Sequence, residues 1–193
     1  MKNESARKQE LRAAAAKLFL KVGYGRATVR DIAKSVGLQS GSIFYHFKTK
    51  EDILVDVMSE GMRQFTETAK TPLHDATTPL MKLRGLFIGH LKALHNPNSA
   101  EIAVVLSEWR HLSAKSRRQV VKLRDQVDEM WDQALREAAA AGLVRGDLRI
   151  LRLSMLGAIN WSLQWYDKRG KMDIEELACR LLESFVPAAK GAK

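Results

Sequence analysis

Apolar residues recur along this chain at the three-and-four spacing of a helix, from near its start to its last turns. Leu11, Ala14, Ala15, Leu18, Phe19 and Val22 form a first stripe that stops at Gly23, and Val29, Ile32, Ala33 and Val36 form a shorter second one. The second helix should open at Thr28, whose hydroxyl can cap it while Asp31 reaches back. It should close at Gly37, because glycine enters the left-handed conformation at little steric cost. The segment from Gln39 to Phe47 is too short to fold alone and holds small and aromatic polar residues. Thr49 and Asp52 repeat the capping pattern and start a helix through Ile53, Leu54, Val57 and Met58 toward Lys70, which Thr71-Pro72 should end.

The same punctuation continues to the C-terminus. Pro79 opens a helix that runs to about Asn96, Ser99 to Leu112 reads as another, and Ala114 to Ala141 as the longest. Asp147 caps a helix reaching about Tyr166. Asp173 caps the last, where Ile174, Leu177, Ala178, Leu181, Leu182 and Phe185 make a stripe that stops at Pro187. No strand alternation and no internal repeat appears, so the expected fold class is all-α. The pattern divides into a three-helix unit at 1–50, a helical domain at 51–187 and a frayed tail at 188–193.

Composition narrows the function classes. A chain of 193 residues with 46% hydrophobic residues can bury a sizeable core and is not a disordered chain. The single Cys179 leaves no disulfide framework and fits a reducing cytoplasm. The five histidines show no metal-ligand spacing, so neither metal nor cofactor is expected. Glu4 and Glu10 argue against an N-terminal targeting segment, and no apolar run approaches the ~20 residues of a membrane span. Without a glycine-rich phosphate loop or a nucleophile–base spacing, an enzyme is not expected.

Charge then changes the picture. Residues 1–50 hold 11 Lys and Arg against 3 Asp and Glu, a balance of +8 out of the chain's +10. A basic block confined to a helix-turn-helix pattern is the footprint of phosphate binding; the bland alternative is basic residues solvating helix faces. Ser40, Gly41 and Ser42 begin a short helix whose small residues let the backbone approach base edges in a major groove. Thr28 at a helix N-terminus and Lys50 by its charge are candidate phosphate anchors, with Arg26 and Arg30 beside them. Phe44 is open between packing and contact with a thymine methyl, whereas Ile43 and Phe47 read as core. A sequence-neutral DNA-coating protein is the rival reading at this point.

The run Thr28-Val29-Arg30-Asp31-Ile32-Ala33, then Val36-Gly37-Leu38 and Gly41-Ser42-Ile43-Phe44-Tyr45-His46-Phe47 with Lys48 and Lys50, resembles the N-terminal domain of the TetR family of bacterial transcriptional regulators. Gln39 stands where that family usually has a capping serine. The resemblance implies about nine helices and a homodimer formed through the last two. It implies a repressor that occupies a palindromic operator in double-stranded DNA until a small hydrophobic effector in the C-terminal domain releases it. By the same resemblance Tyr45 and His46 meet phosphate or bases.

The C-terminal domain holds all four tryptophans, Trp109, Trp131, Trp161 and Trp165. Aromatics at helical spacing are commonly plain core, yet pockets between helices lined by them are ligand sites. Asn160, between Ile159 and Trp161, needs a partner if buried. The stretch from Gly157 through Tyr166, with the basic loop after it, is similar to TetR-family members that sense acyl-CoA thioesters. That similarity implies Trp161 and Trp165 as walls and Arg169, with Lys168 and Lys171, as cations for a CoA phosphate. A solvated basic loop is the alternative. The competing ligand class is a lipophilic drug cation, as in efflux regulators, for which Glu108, Asp128, Glu129 and Asp132 are the available acids.

Overall fold

The computed structural model describes residues 2–96 and 100–189, and within them the chain folds into nine α-helices and two short 3-10 turns with no strand. In order they are α1 (Lys2–Val22), α2 (Val29–Ser35), α3 (Ser40–Ile43), α4 (Lys50–His74), α5 (Pro79–Leu94), α6 (Ala100–Ser107), α7 (Ala114–Ala140), α8 (Leu148–Trp165) and α9 (Ile174–Phe185). A 3-10 turn at Trp109–His111 follows α6, and another at Pro187–Ala189 follows α9.

Contacts group these elements into two compact units, residues 1–64 with 97–124, and residues 65–96 with 125–193. The division differs from a boundary at residue 50, because α4 and α7 each begin in the first unit and end in the second. The first unit adds α6 and the start of α7 to the three-helix pattern. It carries 18 Lys and Arg against 9 Asp and Glu, a balance of +9, so the basic block extends beyond residue 50 into Arg110–Arg124.

In the first unit the α1 stripe is the core: Leu11, Ala15, Ala16 and Phe19 are fully buried together with Ile32, Ala33 and Ile43. Lys8 and Arg12 on α1 pair with Asp56 at 2.7 and 3.4 Å, and Arg12 also faces Glu60, so α1 is fastened to α4 by charge as well as packing. In the second unit α9 lies along α5. Leu177, Ala178 and Leu182 are buried there and the Phe185 ring meets Phe87 at 6.4 Å. Val186 and Ala189 are buried as well, so the chain still packs past Phe185; residues 190–193 of the expected tail lie outside the described residues.

Two helix ends differ from expectation. Helix α4 does not stop at Thr71 but runs through Pro72 to His74. Proline removes a donor and crowds the carbonyl one turn back, so the turn needs support from outside the helix. It has that support from α5: a Cβ at Gly85 would lie 2.9 Å from the Pro72 carbonyl oxygen, and one at Gly89 2.9 Å from Ala69 Cα. Two glycines one turn apart let the α5 backbone lie against the last turns of α4, and tertiary packing overrides the local signal. The helix expected at 99–112 also differs, since α6 ends at Ser107 and the chain tightens into the 3-10 turn; Ser99 lies outside the described residues.

Candidate nucleic-acid interface and effector cavity

The reading head is built by its caps. Thr28 Oγ1 accepts from the Asp31 amide at 3.1 Å, and Asp31 returns the bond to the Thr28 amide at 3.2 Å, which closes the capping box. The Thr28 hydroxyl also donates to Asp31 at 2.5 Å, and these bonds hold the Asp31 carboxyl below its ordinary pKa. Gly37 turns the chain with φ +70°. Gln39 occupies the N-cap of α3 with no side-chain bond, so α3 begins with an uncapped first turn.

The α3 segment splits cleanly between core and surface. Ile43 and Phe47 are buried, whereas Phe44 and Tyr45 between them are 55% and 74% exposed. Gly41 and Ser42 are open to solvent, and a Cβ at Gly41 would meet nothing within 4 Å. Ser40 and His46 are half-buried, and the His46 ring stands edge-on to Tyr45 with centroids 5.2 Å apart. Arg30 and Lys48 are exposed. The structure therefore gathers Gly41, Ser42, Phe44, Tyr45 and His46 on one short projecting segment. A protruding aromatic tip with small residues ahead of it can enter a groove and stack on sugar or bases.

Lys50 has a different position from that of a free phosphate anchor. Its amine donates inward to the carbonyls of Tyr24 and Ala27 at 2.7 and 2.8 Å and sits 4.2 Å over the Tyr24 ring. Arg26 is likewise turned back, donating to Val22 at 2.7 Å at the end of α1. The other face of Tyr24's surroundings is His111, whose ring lies 5.2 Å away and whose Nδ1 pairs with the buried Glu108 at 2.8 Å. The loop between α1 and α2 is thus gripped from α4 and from the 3-10 turn.

In the second unit the ligand candidates separate. Trp131 is buried beside a closed-in cavity lined by Phe65, Ala69, Leu86, His90, Val127 and Met130. Its free space is ≈ 10 Å³, room for one water in the state described. His90, which sequence reading did not single out, stands in this wall with Phe65 at 4.4 Å and Trp131 at 6.0 Å. Its Nε2 meets Asn160 Oδ1 at 3.2 Å, so Asn160, which is half-buried, has a partner. Burial holds the His90 pKa down to about 4, so the ring is neutral. The only signal for His90 in the sequence was a histidine on the apolar face of α5.

The remaining candidates lie elsewhere. Trp109 belongs to the first unit, under the Arg124 guanidinium at 5.6 Å. Trp161 and Trp165 are 67% and 51% exposed and share one face of α8 with Ile150, Leu153 and Gly157. Arg169 is exposed and paired with Asp167 at 3.2 Å, and the Lys168 amine donates to the His95 carbonyl at the end of α5. The acids considered for a cationic ligand are engaged as well: Glu108 with His111, Glu129 with Arg136, and Asp128 and Asp132 with Arg152 at 2.6 and 3.0 Å. Among the described residues no helix is long and apolar enough to cross a membrane.

Two family models match successive parts of the chain. The family model described as bacterial regulatory proteins, tetR family, matches residues 11–57, and the one described as tetracyclin repressor-like, C-terminal domain, matches residues 76–187. The chain is 32% identical over 181 residues to the HTH-type transcriptional repressor KstR2 of Mycolicibacterium smegmatis, covering 92% of this chain and 88% of that one. Among solved structures, the superantigen PfiT is 39% identical with a TM-score of 0.80, covering 93% of this chain and 95% of that one. AibR in complex with isovaleryl coenzyme A and operator DNA superposes with a TM-score of 0.85 over 94% of this chain and 98% of that one; at 23% identity the likeness is one of fold.

Proposed function

This chain belongs to the TetR family of bacterial regulatory proteins, and on that premise we propose a homodimeric repressor that reads a palindromic operator through α3 and lets go when a small apolar effector opens and fills the cavity beside His90. The observation that carries the reading is the exposure of Phe44 and Tyr45 in the turn that follows α3, between the buried Ile43 and Phe47. Core packing has no use for that tip, and a groove does. Ser40, Gly41, Ser42 and His46 complete the reading surface, Thr28 and Arg30 flank it, and Lys50 holds the loop that aims it.

The exposed α8 face of Ile150, Leu153, Gly157, Trp161 and Trp165 is where a second copy docks, which doubles the head and makes the operator two-fold. An apolar stripe of this size with two half-open tryptophans is costly on a lone subunit. The stripe of α9, by contrast, is mostly covered within its own subunit. A regulator of this kind works in the cytoplasm beside its DNA and needs no catalysis. The nearest Ser–His contact, Ser162 Oγ to His95 Nε2 at 2.7 Å, is buried and serves packing between α5 and α8.

Footprinting on genomic fragments tests the reading. One protected inverted repeat, lost on adding an apolar ligand, is the expected result; uniform protection of all fragments would return the sequence-neutral DNA-coating alternative.

A further inference from the structure

We propose that the basic corner made by the α6–α7 turn and the first turns of α7 holds the phosphate backbone of duplex DNA beside the operator, a contact surface separate from the helix-turn-helix. The inference rests on the operator-binding reading above and extends its footprint outward.

Charge supplies the first argument. Residues 109–124 hold six Lys and Arg and no Asp or Glu. Arg110, Lys115, Arg117, Arg118 and Lys122 are exposed, and none of these has an ion-pair partner among the described residues. The rest of α7 is built the opposite way, since residues 125–140 hold five acids against Arg136 alone. There Asp128 and Asp132 take Arg152, Glu129 takes Arg136 and Glu137 takes Lys82. A helix face that only needed solvation would mix its signs, because opposite charges one turn apart stabilise a helix and like charges weaken it. Lys115 and Arg118, and again Arg118 and Lys122, are like-charged neighbours one turn apart. The first turn of α7 also carries no acid, although the helix dipole favours one there. A polyanion laid against the corner removes both costs.

Placement supplies the second. The Ser113 amide donates to Glu51 Oε1 at 2.7 Å, so the start of α7 is fastened to the first turn of α4. Glu51 comes directly after Lys48–Lys50, which lead out of the exposed tip at Phe44 and Tyr45. His111 reaches the same joint, its ring 5.2 Å from the Tyr24 ring that Lys50 covers. All of these residues belong to the first unit, so the corner shares one frame with the reading segment. Lys115, Arg118 and Lys122 fall at i, i+3 and i+7, a stripe about 10 Å long on the side of α7 away from the buried Val120. Duplex DNA carries a charge about every 1.7 Å of its axis, so that length meets several phosphates. An anionic membrane would need apolar side chains on the same face, and the residue that completes it is the exposed Gln119.

The test uses the full-length protein and two duplexes. One is the footprinted inverted repeat alone, and the other adds about ten base pairs of flank, one helical turn, at each end. Wild type should bind the longer duplex at least tenfold more tightly at low salt, with log K falling more steeply against log salt by about 0.9 for each flanking phosphate held. The triple variant Lys115→Gln, Arg118→Gln, Lys122→Gln should bind the shorter duplex within twofold of wild type and gain less than twofold from the flanks. Hydroxyl-radical cleavage should show flanking sugars protected by wild type and open with the variant. The two-duplex comparison on wild type needs no variant, so it decides even where the variant misfolds. Equal affinity and equal salt slope on the two duplexes overturns this inference and leaves the operator-binding reading standing, as does a folded variant that keeps the flank preference. Wild-type binding to phosphatidylglycerol vesicles that the variant loses, with the two duplexes equal, also overturns it and assigns the corner to lipid. Absence of any protected repeat removes both readings.

Discussion

The side-chain amine of Lys50 lies 2.7 Å from the carbonyl oxygen of Tyr24 and directly over the Tyr24 ring. A cation at the start of α4 thereby closes the loop between α1 and α2, where Thr28 caps the helix that supports α3. In the proposed repressor, Lys50 acts on DNA binding through the shape of the head.

That relationship makes Lys50→Met a diagnostic change. Removing a charged donor from two carbonyls should cost about 1–3 kcal/mol of stability and loosen the loop. Operator affinity should fall while the slope of log K against log salt stays as in wild type. A direct phosphate anchor would lower that slope by about 0.9 for each subunit. Anisotropy titrations at several salt concentrations separate the two, and a reduced slope would restore Lys50 to the phosphate.

Gly85 and Gly89 give a packing prediction. A methyl group at either would press on the backbone of α4, at the Pro72 carbonyl and at Ala69 Cα, and backbone yields poorly. Gly85→Ala and Gly89→Ala should each destabilise by about 1–3 kcal/mol, against a helix-propensity gain of up to about 1 kcal/mol. Thermal unfolding that rises in either variant would show that the helices are not in close contact there.

The origin of these features shows which parts of the fold the residues announced. Caps and stops are local, so Thr28, Gly37, Asp147 and Asp173 placed helix ends that the structure repeats. The continuation of α4 through Pro72 was not legible, because the support comes from Gly85 and Gly89, more than ten residues away. The helix-turn-helix was visible as a motif, while the inward turn of Lys50 was not, since a lysine at a helix start looks the same whether it faces phosphate or carbonyl. Of the tryptophans, hydrophobicity alone could not tell Trp131 in a cavity wall from Trp161 on an open face. His90 was not legible either, because a lone histidine on an apolar helix face carries no signature without Asn160 beside it.

Histidine 90 sets the expected pH response. Its pKa is held at about 4 in the folded chain against about 6.5 in the unfolded one, so protons bind the unfolded state preferentially between those values. Stability from this group is complete above pH 6.5 and is lost as pH falls toward 4, a change of about 3 kcal/mol at most. Its surroundings, Phe65, Leu86, Met130, Trp131 and Asn160, hold no titratable partner to offset this. The His95 pKa is also lowered by burial and adds the same sign. Chemical denaturation from pH 7.5 to 4.5 should show the decline, and His90→Gln should flatten most of it. An equal slope in the variant would assign the acid sensitivity to other groups.

The α8 face carries the final prediction. Ile150, Leu153, Trp161 and Trp165 project from it, and a Cβ at Gly157, midway along the stripe, would meet nothing within 4 Å in its own subunit. Leu153→Glu puts a charge into the proposed subunit contact without touching the buried side of α8, and should give a folded monomer with greatly weakened operator binding. Gly157→Ala is the finer probe. Within one subunit it removes a helix-weakening glycine and should be neutral or stabilising by up to about 1 kcal/mol. Where a partner helix packs against that spot, the added methyl weakens the dimer instead. Sedimentation equilibrium combined with thermal unfolding reads both quantities on the same samples. A lower dimerisation constant with an unchanged or raised monomer stability locates the partner on α8, and a dimer indifferent to both substitutions places it elsewhere.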